Sequence, residues 1–385
     1  MKLAAAALAA ALMLLAVAPA ASEGTQPVKA EDLFALALID DAQISPDGKN
    51  VAFVVERLDG ARNRNRSAIW SVPADASSAP RQITQGERDE SPRWSPDRHT
   101  LAFVRRAAGK PQIYALDLAA GGEAHALTTA KDGANEPEWS HDGKRILYQG
   151  IERDKPVPTH VDWHAAGITA PAKHEHTDIR TISTLRFETN GLGYTYDRRA
   201  HLWVMNADGT QKRRLTSGPY SARNAHWSPD DATIAYNAYL APPSPVFKTD
   251  LYTIAAQGGT PVKVPLGHLR QIFGAWSHDG ARLWFQTSST HDGAALPGVA
   301  SVRRDGSDER QVVAENEVAF RDAVLADMKE DGRGCGPLLD PLDRWFVADV
   351  SVRGGTALAR FDATTGKQTV LAGGDREIAE CSMSE

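Results

Sequence analysis

The sequence predicts an all-β protein, a β-propeller of seven four-stranded blades, with six or eight blades left open. Three observations predict this fold. A phrase close to Trp-Ser-Pro-Asp-Gly recurs along the chain, an alternating apolar segment follows each copy, and most copies lie about 45 to 50 residues apart. A repeat of about 40 to 50 residues that carries four short strands is typical of a propeller blade.

The repeated phrase predicts a tight turn between two strands. Proline presets φ for the turn, aspartate hydrogen-bonds to its own following backbone, and glycine accepts a positive φ. The Trp or Ile before the turn is expected to face the same layer as the aromatic residue after it. The well-preserved copies are Ile44-Ser45-Pro46-Asp47-Gly48, Trp94-Ser95-Pro96-Asp97, Trp139-Ser140-His141-Asp142-Gly143, Trp227-Ser228-Pro229-Asp230 and Trp276-Ser277-His278-Asp279-Gly280. The count of seven is completed by two degenerate copies, which match the phrase only in part: Phe187-Glu188-Thr189-Asn190-Gly191 and Asp340-Pro341-Leu342-Asp343.

The second half of each repeat supplies two further strands. Segments of period two, such as Ile113-Tyr114-Ala115-Leu116, lead through a turn to a short strand that ends in Leu-Thr, as at Leu127-Thr128. A helical solenoid is excluded because no repeat contains a useful stretch of helical period. A doubly wound α/β sheet is excluded because it needs crossover helices.

Composition excludes several classes of protein. The 385 residues include 43 Lys plus Arg and 49 Asp plus Glu, for a formal charge of −6, and 42% of them are hydrophobic. These values are ordinary for a folded globular protein and exclude a disordered or collagen-like chain. They also argue against a nucleic-acid partner, since binding phosphates requires a basic face.

The amino terminus has the layout of a secretory signal peptide. Met1 and Lys2 precede the apolar run from Leu3 to Val17, and the small residues of Ala18-Pro19-Ala20 follow. We expect cleavage after Ala20, which makes residues 1–20 the signal peptide and 21–385 the propeller domain. An uncleaved anchor is the alternative, but the run reaches only about 22 Å as a helix, against a hydrocarbon core of about 30 Å. The expected protein is periplasmic or secreted, without stable membrane insertion.

The two cysteines, Cys335 and Cys381, leave two alternatives open. Export permits a disulfide between them. Two unpaired thiols are equally compatible with the sequence, because Cys381 lies close to the end of the chain given.

Residues 151–180 interrupt the repeat as an inserted loop that projects from one face of the ring. The loop contains His160, His164, His174 and His176 together with Asp162 and Asp178. Such side chains could bind a transition metal, but their spacing matches no standard zinc motif. We therefore predict a polar loop, no metal site and no cofactor.

The sequence offers no visible catalytic residues. It lacks the Gly-x-Ser-x-Gly nucleophile elbow, the His-Glu-x-x-His zinc pair and a phosphate-binding glycine loop. The aspartates of the repeated phrase are distributed one per blade, which favours a role in turns. His141 and His278 replace the turn proline and are expected at the surface. We therefore predict no catalytic residue, and no substrate-binding residue can be named.

Several segments resemble the propellers of known exported proteins. The repeats are similar to those of exported peptidases and of the periplasmic Tol-system propeller protein. The middle segment contains Thr184-Leu185-Arg186-Phe187, Asn190-Gly191-Leu192-Gly193-Tyr194, Asp197-Arg198-Arg199 and His201-Leu202-Trp203-Val204. This segment resembles a blade of the prolyl oligopeptidase family of serine peptidases, of the acylaminoacyl-peptidase and dipeptidyl-peptidase type. The opening Ala30-Glu31-Asp32-Leu33-Phe34 is also similar to the start of those propellers. The resemblance covers about residues 28–373.

The resemblance implies a two-domain enzyme in which a propeller caps an α/β-hydrolase domain and admits only short peptides. The sequence given contains no such hydrolase domain, so no catalytic residue of the family can be placed on it. We expect a truncated or split peptidase, whose propeller gates or positions peptides for the missing domain, or a free-standing propeller. The main alternative is a periplasmic scaffold of the Tol-system type that contacts envelope proteins. A lyase or sugar-processing propeller, with a site in the channel, ranks third.

Overall fold

The computed structural model describes residues 27, 29–107, 109–119, 121–153, 188–189, 193–195, 197–240, 248–290, 295–320, 335–374, 378 and 381–384. These residues form an all-β structure of six four-stranded antiparallel sheets, one additional two-stranded pair and one short 3₁₀ helix. The predicted signal peptide of residues 1–20 and nearly all of the predicted 151–180 loop lie outside the described residues. Within the described ranges, no helix combines the length and apolar character needed to cross a bilayer.

Each blade consists of four strands that pair in the order in which they occur along the chain. The 3₁₀ helix Ala30–Ala35 precedes blade 1, which contains β1 (Ala37–Ile44), β2 (Asn50–Asp59), β3 (Arg64–Pro73) and β4 (Arg81–Gln82). Blade 2 contains β5 (Asp89–Trp94), β6 (Thr100–Ala107), β7 (Lys110–Asp117) and β8 (His125–Ala126). Blade 3 contains β9 (Ala134–Trp139) and β10 (Arg145–Arg153) and, after the pair of β11 (Glu188–Thr189) and β12 (Gly193–Tyr194), β13 (Arg198–Asn206) and β14 (Arg213–Arg214).

The last three blades repeat the same order. Blade 4 contains β15 (Tyr220–Trp227), β16 (Thr233–Leu240), β17 (Thr249–Ala255) and β18 (Val262–Lys263). Blade 5 contains β19 (Arg270–Trp276), β20 (Arg282–Ser288), β21 (Gly298–Arg303) and β22 (Arg310–Val313). Blade 6 contains β23 (Leu338–Leu339), β24 (Trp345–Val352), β25 (Gly355–Asp362) and β26 (Gln368–Ala372). The first strand of each blade is innermost, because residues at or next to all six first strands line one central cavity.

The β-propeller class is confirmed. The described residues form six blades, one of the counts that the sequence left open, and not the seven that it favoured. In the degenerate copy at 187–191, the described residues Glu188 and Thr189 form β11, which pairs with the two-residue strand β12. The strands β10 and β13 pair directly with each other, from Arg145↔Asn206 to Arg153↔Arg198, so they are neighbouring strands of blade 3. Within the described part of the long gap between repeats, no further four-stranded sheet occurs. The other degenerate copy, at 340–343, does form the first turn of blade 6.

The turn chemistry of the repeated phrase follows one pattern. In blade 1, Ser45 Oγ donates to Asp47 Oδ1 at 2.7 Å and accepts the Asn50 N–H at 3.0 Å, while Gly48 adopts a φ of 69°. The hydrogen bond from Ser45 is the main reason that the pKa of Asp47 lies below its ordinary value. Equivalent Ser–Asp hydrogen bonds occur in the next four blades. The repeated aspartates thus fix hairpin turns.

The repeated tryptophan joins neighbouring blades. Its indole Nε1–H donates to a backbone carbonyl on the innermost strand of the preceding blade. The four bonds are Trp94 to Gln43 O (3.0 Å), Trp139 to Arg93 O (3.1 Å), Trp227 to Glu138 O (3.4 Å) and Trp276 to His226 O (3.1 Å). A buried indole N–H needs such a partner. The phrase therefore encodes a contact between blades as well as a turn.

The hydrophobic core lies between the blades. Five clusters of buried apolar side chains bridge five successive junctions, from blades 1 and 2 to blades 5 and 6. Among the described residues no such cluster bridges blade 6 and blade 1. There, Cys335 and Cys381 form a disulfide with a Cα–Cα distance of 5.2 Å. The sequence left open a disulfide or two unpaired thiols, and the structure contains the disulfide.

Candidate channel site

A cavity of about 530 Å³ lies where the innermost strands meet. Its walls combine residues from all six blades with residues of the 381–384 segment. The lining includes Gln43, Arg93, Glu136, Glu138, Gln149, Asn224, His226, Ile272, Phe273, Leu338 and Met383. A cavity of this size falls within the range of small-ligand sites in proteins, about 300–1,000 Å³. This cavity is the candidate functional site.

A β-bulge shapes the innermost strand of each of the first four blades. Two residues of that strand oppose a single aromatic residue of the second strand: Phe53, Phe103, Tyr148 or Tyr236. The first bulge residue adopts a left-handed conformation: Asp41, Ser91, Glu136 and Asn224 have φ of 47°, 56°, 52° and 49°. Residues other than glycine adopt such φ values at an energetic cost, and bulges often redirect side chains beside functional sites. Glu136 and Asn224 line the cavity.

Two ion pairs cross between blades at the channel. Arg93 of blade 2 contacts Asp41 of blade 1, with Nη1 and Oδ1 2.8 Å apart. His226 of blade 4 contacts Glu138 of blade 3, with Nδ1 and Oε2 also 2.8 Å apart. The second oxygen of Glu138 accepts the Trp227 N–H at 3.0 Å. The charged side chains of the channel are therefore held in fixed positions by the blades on either side.

The cavity wall mixes charged, polar and apolar side chains. Its charged residues, which include Arg93, Glu138 and His226, come from blades 2 to 4. Apolar residues come from both halves of the ring, as with Leu147 and Leu202 of blade 3 and Ile272 and Leu338 of blades 5 and 6. A ligand with both hydrogen-bonding groups and apolar side chains would find a partner for each.

Gln149 adds an available hydrogen-bond acceptor. This residue of β10 lines the cavity and is only 5% exposed, yet its Oε1 has no hydrogen-bond partner among the described residues. Buried polar atoms are usually paired, because an unpaired one loses its bonds to water without replacement. The side-chain amide of Gln149 is therefore a suitable group to bind a donor of an incoming ligand.

The electrostatic surroundings of His226 favour its protonated form. Burial on its own would lower the pKa of His226, but the negative charge of Glu138 and its hydrogen bond outweigh burial and raise the pKa overall. Glu136 acts in the same direction, and Arg93 opposes it. Because the pKa is raised on folding, the stabilisation from this proton is fully present below about pH 6.5 and is lost as the pH rises through the folded-state pKa.

We expect Glu138→Gln to lower the pKa of His226. Burial and the positive charge of Arg93 both lower this pKa, and the variant removes the negative charge of Glu138 that raises it. The measurement is an NMR titration of the His226 ring signals in both proteins. Glu309→Gln is the matched control, because Glu309 pairs with a different histidine, His268, through a 2.5 Å contact. An unchanged His226 pKa in Glu138→Gln would show that the ion pair does not exist in solution.

The sequence did not predict any of these channel residues. None of the turn aspartates lines the cavity. His141 and His278 lie partly exposed at the turns, where they contact Asp231 and Asp343 at 2.8 and 2.9 Å. The histidines of the predicted 151–180 loop lie outside the described residues, and within the described ranges no group of three or more metal-ligating side chains occurs. The missed signal was the residue two positions before each turn serine, which is Gln43, Arg93, Glu138 or His226 in four of the copies.

Comparisons with known proteins agree with a propeller of this type. The family profile of the TolB beta propeller domain matches residues 40–165. Over 219 residues the chain is 27% identical to "Uncharacterized peptidase YuxL" of Bacillus subtilis (strain 168), a match that covers 55% of this chain and 31% of that protein.

Solved structures share the fold at lower identity. The acylaminoacyl peptidase of Pyrococcus horikoshii superposes with a TM-score of 0.64 at 16% identity, over 91% of this chain and 48% of that one. The β-propeller domain of the Trilobed protease of Pyrococcus furiosus gives a TM-score of 0.58 at 16% identity, over 91% of this chain and 87% of that one. The matches thus span less than half the length of YuxL and of the acylaminoacyl peptidase of Pyrococcus horikoshii. Its fold is that of the propeller domains of prolyl-oligopeptidase-type peptidases, as the sequence resemblance predicted.

Proposed function

We propose that this chain is the non-catalytic propeller part of an exported serine peptidase of the prolyl-oligopeptidase type, and that its channel admits and positions peptides for a hydrolase domain. The observation that carries the proposal is the cavity wall that combines polar and apolar side chains. A peptide in extended form presents backbone donors and acceptors together with apolar side chains. Gln149, Asn224 and Arg93 can bind the backbone groups of the peptide. Ile272 and Leu338 can contact its apolar side chains.

The size of the channel suits a steric filter. Six blades surround a cavity of about 530 Å³, which holds a short peptide segment and excludes a folded protein. Substrate selection would then follow from chain length and flexibility. The walls would orient the peptide through their polar and apolar side chains.

The contacts of the cavity also support a non-catalytic role. Nucleophilic catalysis on a peptide requires a nucleophile, a base and an orienting acid within hydrogen-bond reach. Glu138 binds His226 at Nδ1 as an orienting acid would, but among the described residues no hydrogen bond joins His226 to Ser382, the one serine of the described lining. The Oγ of Ser382 accepts the Ile44 N–H instead. The catalytic serine would have to come from another domain.

An apolar surface beside blade 1 supports docking of that domain. The large side chains of Leu33, Phe34, Leu36, Ile39 and Leu58 are exposed in this structure. The 3₁₀ helix packs on β2, and Ile39 pairs with Val55, so these residues lie in one region. Exposed large apolar side chains gathered in one region commonly mark an interaction site. We assign the hydrolase domain as its occupant.

The proposed location is the periplasm or the extracellular space. Residues 1–20 would direct export, with cleavage after Ala20. The disulfide of Cys335 and Cys381 suits an oxidising compartment, where such bonds persist.

Peptide binding by the purified chain tests the proposal. We would measure fluorescence anisotropy of labelled peptides of about five to ten residues with the wild-type protein and with Ile272→Ala/Leu338→Ala, which removes apolar contacts from the cavity wall. The matched control is Val262→Ala, on the exposed outer strand β18. We expect about tenfold weaker binding for the cavity variant and no change for the control, because a truncated apolar contact is worth about 1–3 kcal/mol.

A cleavage assay distinguishes a binding module from an enzyme. We expect no turnover of aminoacyl or acylaminoacyl chromogenic substrates and no covalent adduct with a serine-directed inhibitor. Turnover that the inhibitor abolishes would contradict the proposal.

A second candidate is a periplasmic scaffold of the Tol-system type. The match of residues 40–165 to the TolB beta propeller profile favours it. Equal binding by the cavity variant and the wild type, combined with capture of envelope proteins, would support this candidate over peptide positioning.

A further inference from the structure

The junction between blade 6 and blade 1, here called the seam, is built differently from the other junctions. At four junctions a tryptophan donates across to the preceding blade, and at five a cluster of buried apolar residues fills the space. At the seam, Ile44 stands in the tryptophan position and has no indole N–H to donate. Among the described residues no apolar cluster spans the seam either.

Residues 381–384, here called the latch segment, occupy the seam instead. One end is covalently attached to blade 6, because Cys381 is bonded to Cys335, just ahead of β23. The other contacts are to blade 1. Ser382 Oγ accepts the Ile44 N–H at 2.9 Å, and Ser384 Oγ lies beside Gly48, 3.5 Å from where a Cβ would stand.

The two ends of this connection differ in strength. Cys335 is buried, and its N–H donates to Asp349 Oδ1 at 2.9 Å, so the blade 6 attachment is rigid. On blade 1 the described attachment is a single hydrogen bond and a contact beside a turn. One such bond contributes little against the entropy of ordering a chain segment. The disulfide is therefore the interaction that keeps the latch segment on the seam.

The latch segment is also part of the channel wall. Cys381, Ser382 and Met383 line the cavity together with Gln43 of blade 1 and Leu338 of blade 6. A change in the position of this segment would alter the cavity and the seam at once.

We propose that the latch segment is a redox-controlled closure of the ring. With the disulfide formed, residues 381–384 join blade 6 to blade 1 and complete the wall of the channel. Reduction releases the segment, which opens the seam and widens the cavity on that side. This proposal concerns the ring itself and does not depend on which ligand the channel accepts.

The chemical step is ordinary thiol–disulfide exchange with a dithiol reductant. A thiolate of the reductant attacks Sγ of Cys381, the less buried of the two cysteines, and the bond to Cys335 breaks with the electron pair leaving on Cys335. The second thiol of the reductant then displaces Cys381 and closes the cyclic disulfide of the reductant. Two electrons and two protons pass to the protein, which ends with two thiols.

Hydrogen exchange of the full chain tests the proposal without any ligand. Exchange at the Ile44 amide would be followed by mass spectrometry in the oxidised protein and after dithiothreitol, with alkylation counts to verify zero and two free thiols. We expect at least tenfold faster exchange at Ile44 after reduction, and faster exchange in the β23 peptide with Leu338. The β9 peptide with Trp139, at a junction that keeps its tryptophan, should not change.

Two variants separate the latch from general loss of structure. Cys381→Ser should show the fast Ile44 exchange without reductant and no further effect of dithiothreitol. Ser382→Ala keeps the disulfide but removes the acceptor of the Ile44 N–H, so it should also speed exchange at Ile44 alone. Equal Ile44 exchange in the oxidised and reduced proteins would overturn the proposal. So would a rise in exchange across all six blades together, which would make the disulfide a general structural bond.

Discussion

Replacing Trp227 with alanine is expected to lower the free energy of unfolding by about 3–5 kcal/mol. The indole is 2% exposed and belongs to the cluster that joins blades 3 and 4. Its Nε1–H donates to Glu138 O, and the guanidinium of Arg145 lies 4.8 Å from the ring centroid. Truncation would therefore remove apolar packing, one hydrogen bond and one cation–π contact. Urea unfolding followed by far-UV circular dichroism would measure the loss.

Trp227→Phe is the matched control for this prediction. Phenylalanine keeps most of the apolar packing and loses the indole N–H, so we expect a smaller loss, about 1–2 kcal/mol. A stability of Trp227→Ala within about 0.5 kcal/mol of the wild type would contradict the structure. Such a result would mean that the repeated tryptophan does not join the blades.

The second large effect is expected for Asp89→Ala, which should destabilise the fold by about 3–5 kcal/mol. Asp89 is fully buried and binds the guanidinium of Arg105 with both oxygens, at 2.7 and 2.8 Å. It also accepts the Gly86 N–H at 3.0 Å. Without the carboxylate, Arg105 would remain as a largely buried charge with no counterion. Thermal and urea unfolding would both report the change.

The double variant Asp89→Ala/Arg105→Met tests the cause of this effect. Removing both charges eliminates the unpaired cation, so the double variant should recover a substantial part of the loss. Glu87→Ala is the control, because the Glu87–Arg64 pair is exposed although its atoms are 2.7 Å apart, and such pairs contribute at most about 1 kcal/mol. Equal stability of the single and double variants would show that the buried pair is not the source of the loss.

The local structure of a blade could be predicted from the sequence because it depends on neighbours along the chain. The turn at Ser45–Gly48 needs only proline, aspartate and glycine chemistry within a few residues. The apolar run in the second strand, as in Ala52-Phe53-Val54, predicts a strand, and the structure buries all three of these side chains, so both faces of the strand lie in the core. The same reasoning favoured the wrong number of blades. The gap between Ser140 and Ser228 is nearly two repeat lengths, and its length alone does not distinguish an extra repeat from an insertion. Only the pairing of β10 with β13 distinguishes the two.

The candidate site could not be predicted because it depends on contacts between blades. Arg93 and Asp41 are far apart in the sequence, and so are His226 and Glu138, and each pair meets only when the ring forms. The bulges at Glu136 and Asn224 likewise require knowledge of the facing strand. The 46-residue separation of Cys335 and Cys381 likewise gave no indication that blade 6 brings the two sulfurs together.

The most direct test of the central claim, that the channel receives peptides, is the position of a bound peptide on the oxidised protein. A short peptide with a benzophenone side chain would be photo-crosslinked to the chain, and the attachment sites would be mapped by mass spectrometry. We predict attachment to the inner wall, at residues such as Ile272, Leu338 and Met383. Attachment at the outer strands, for example at Val262 or Val370, with none in the channel, would contradict the account.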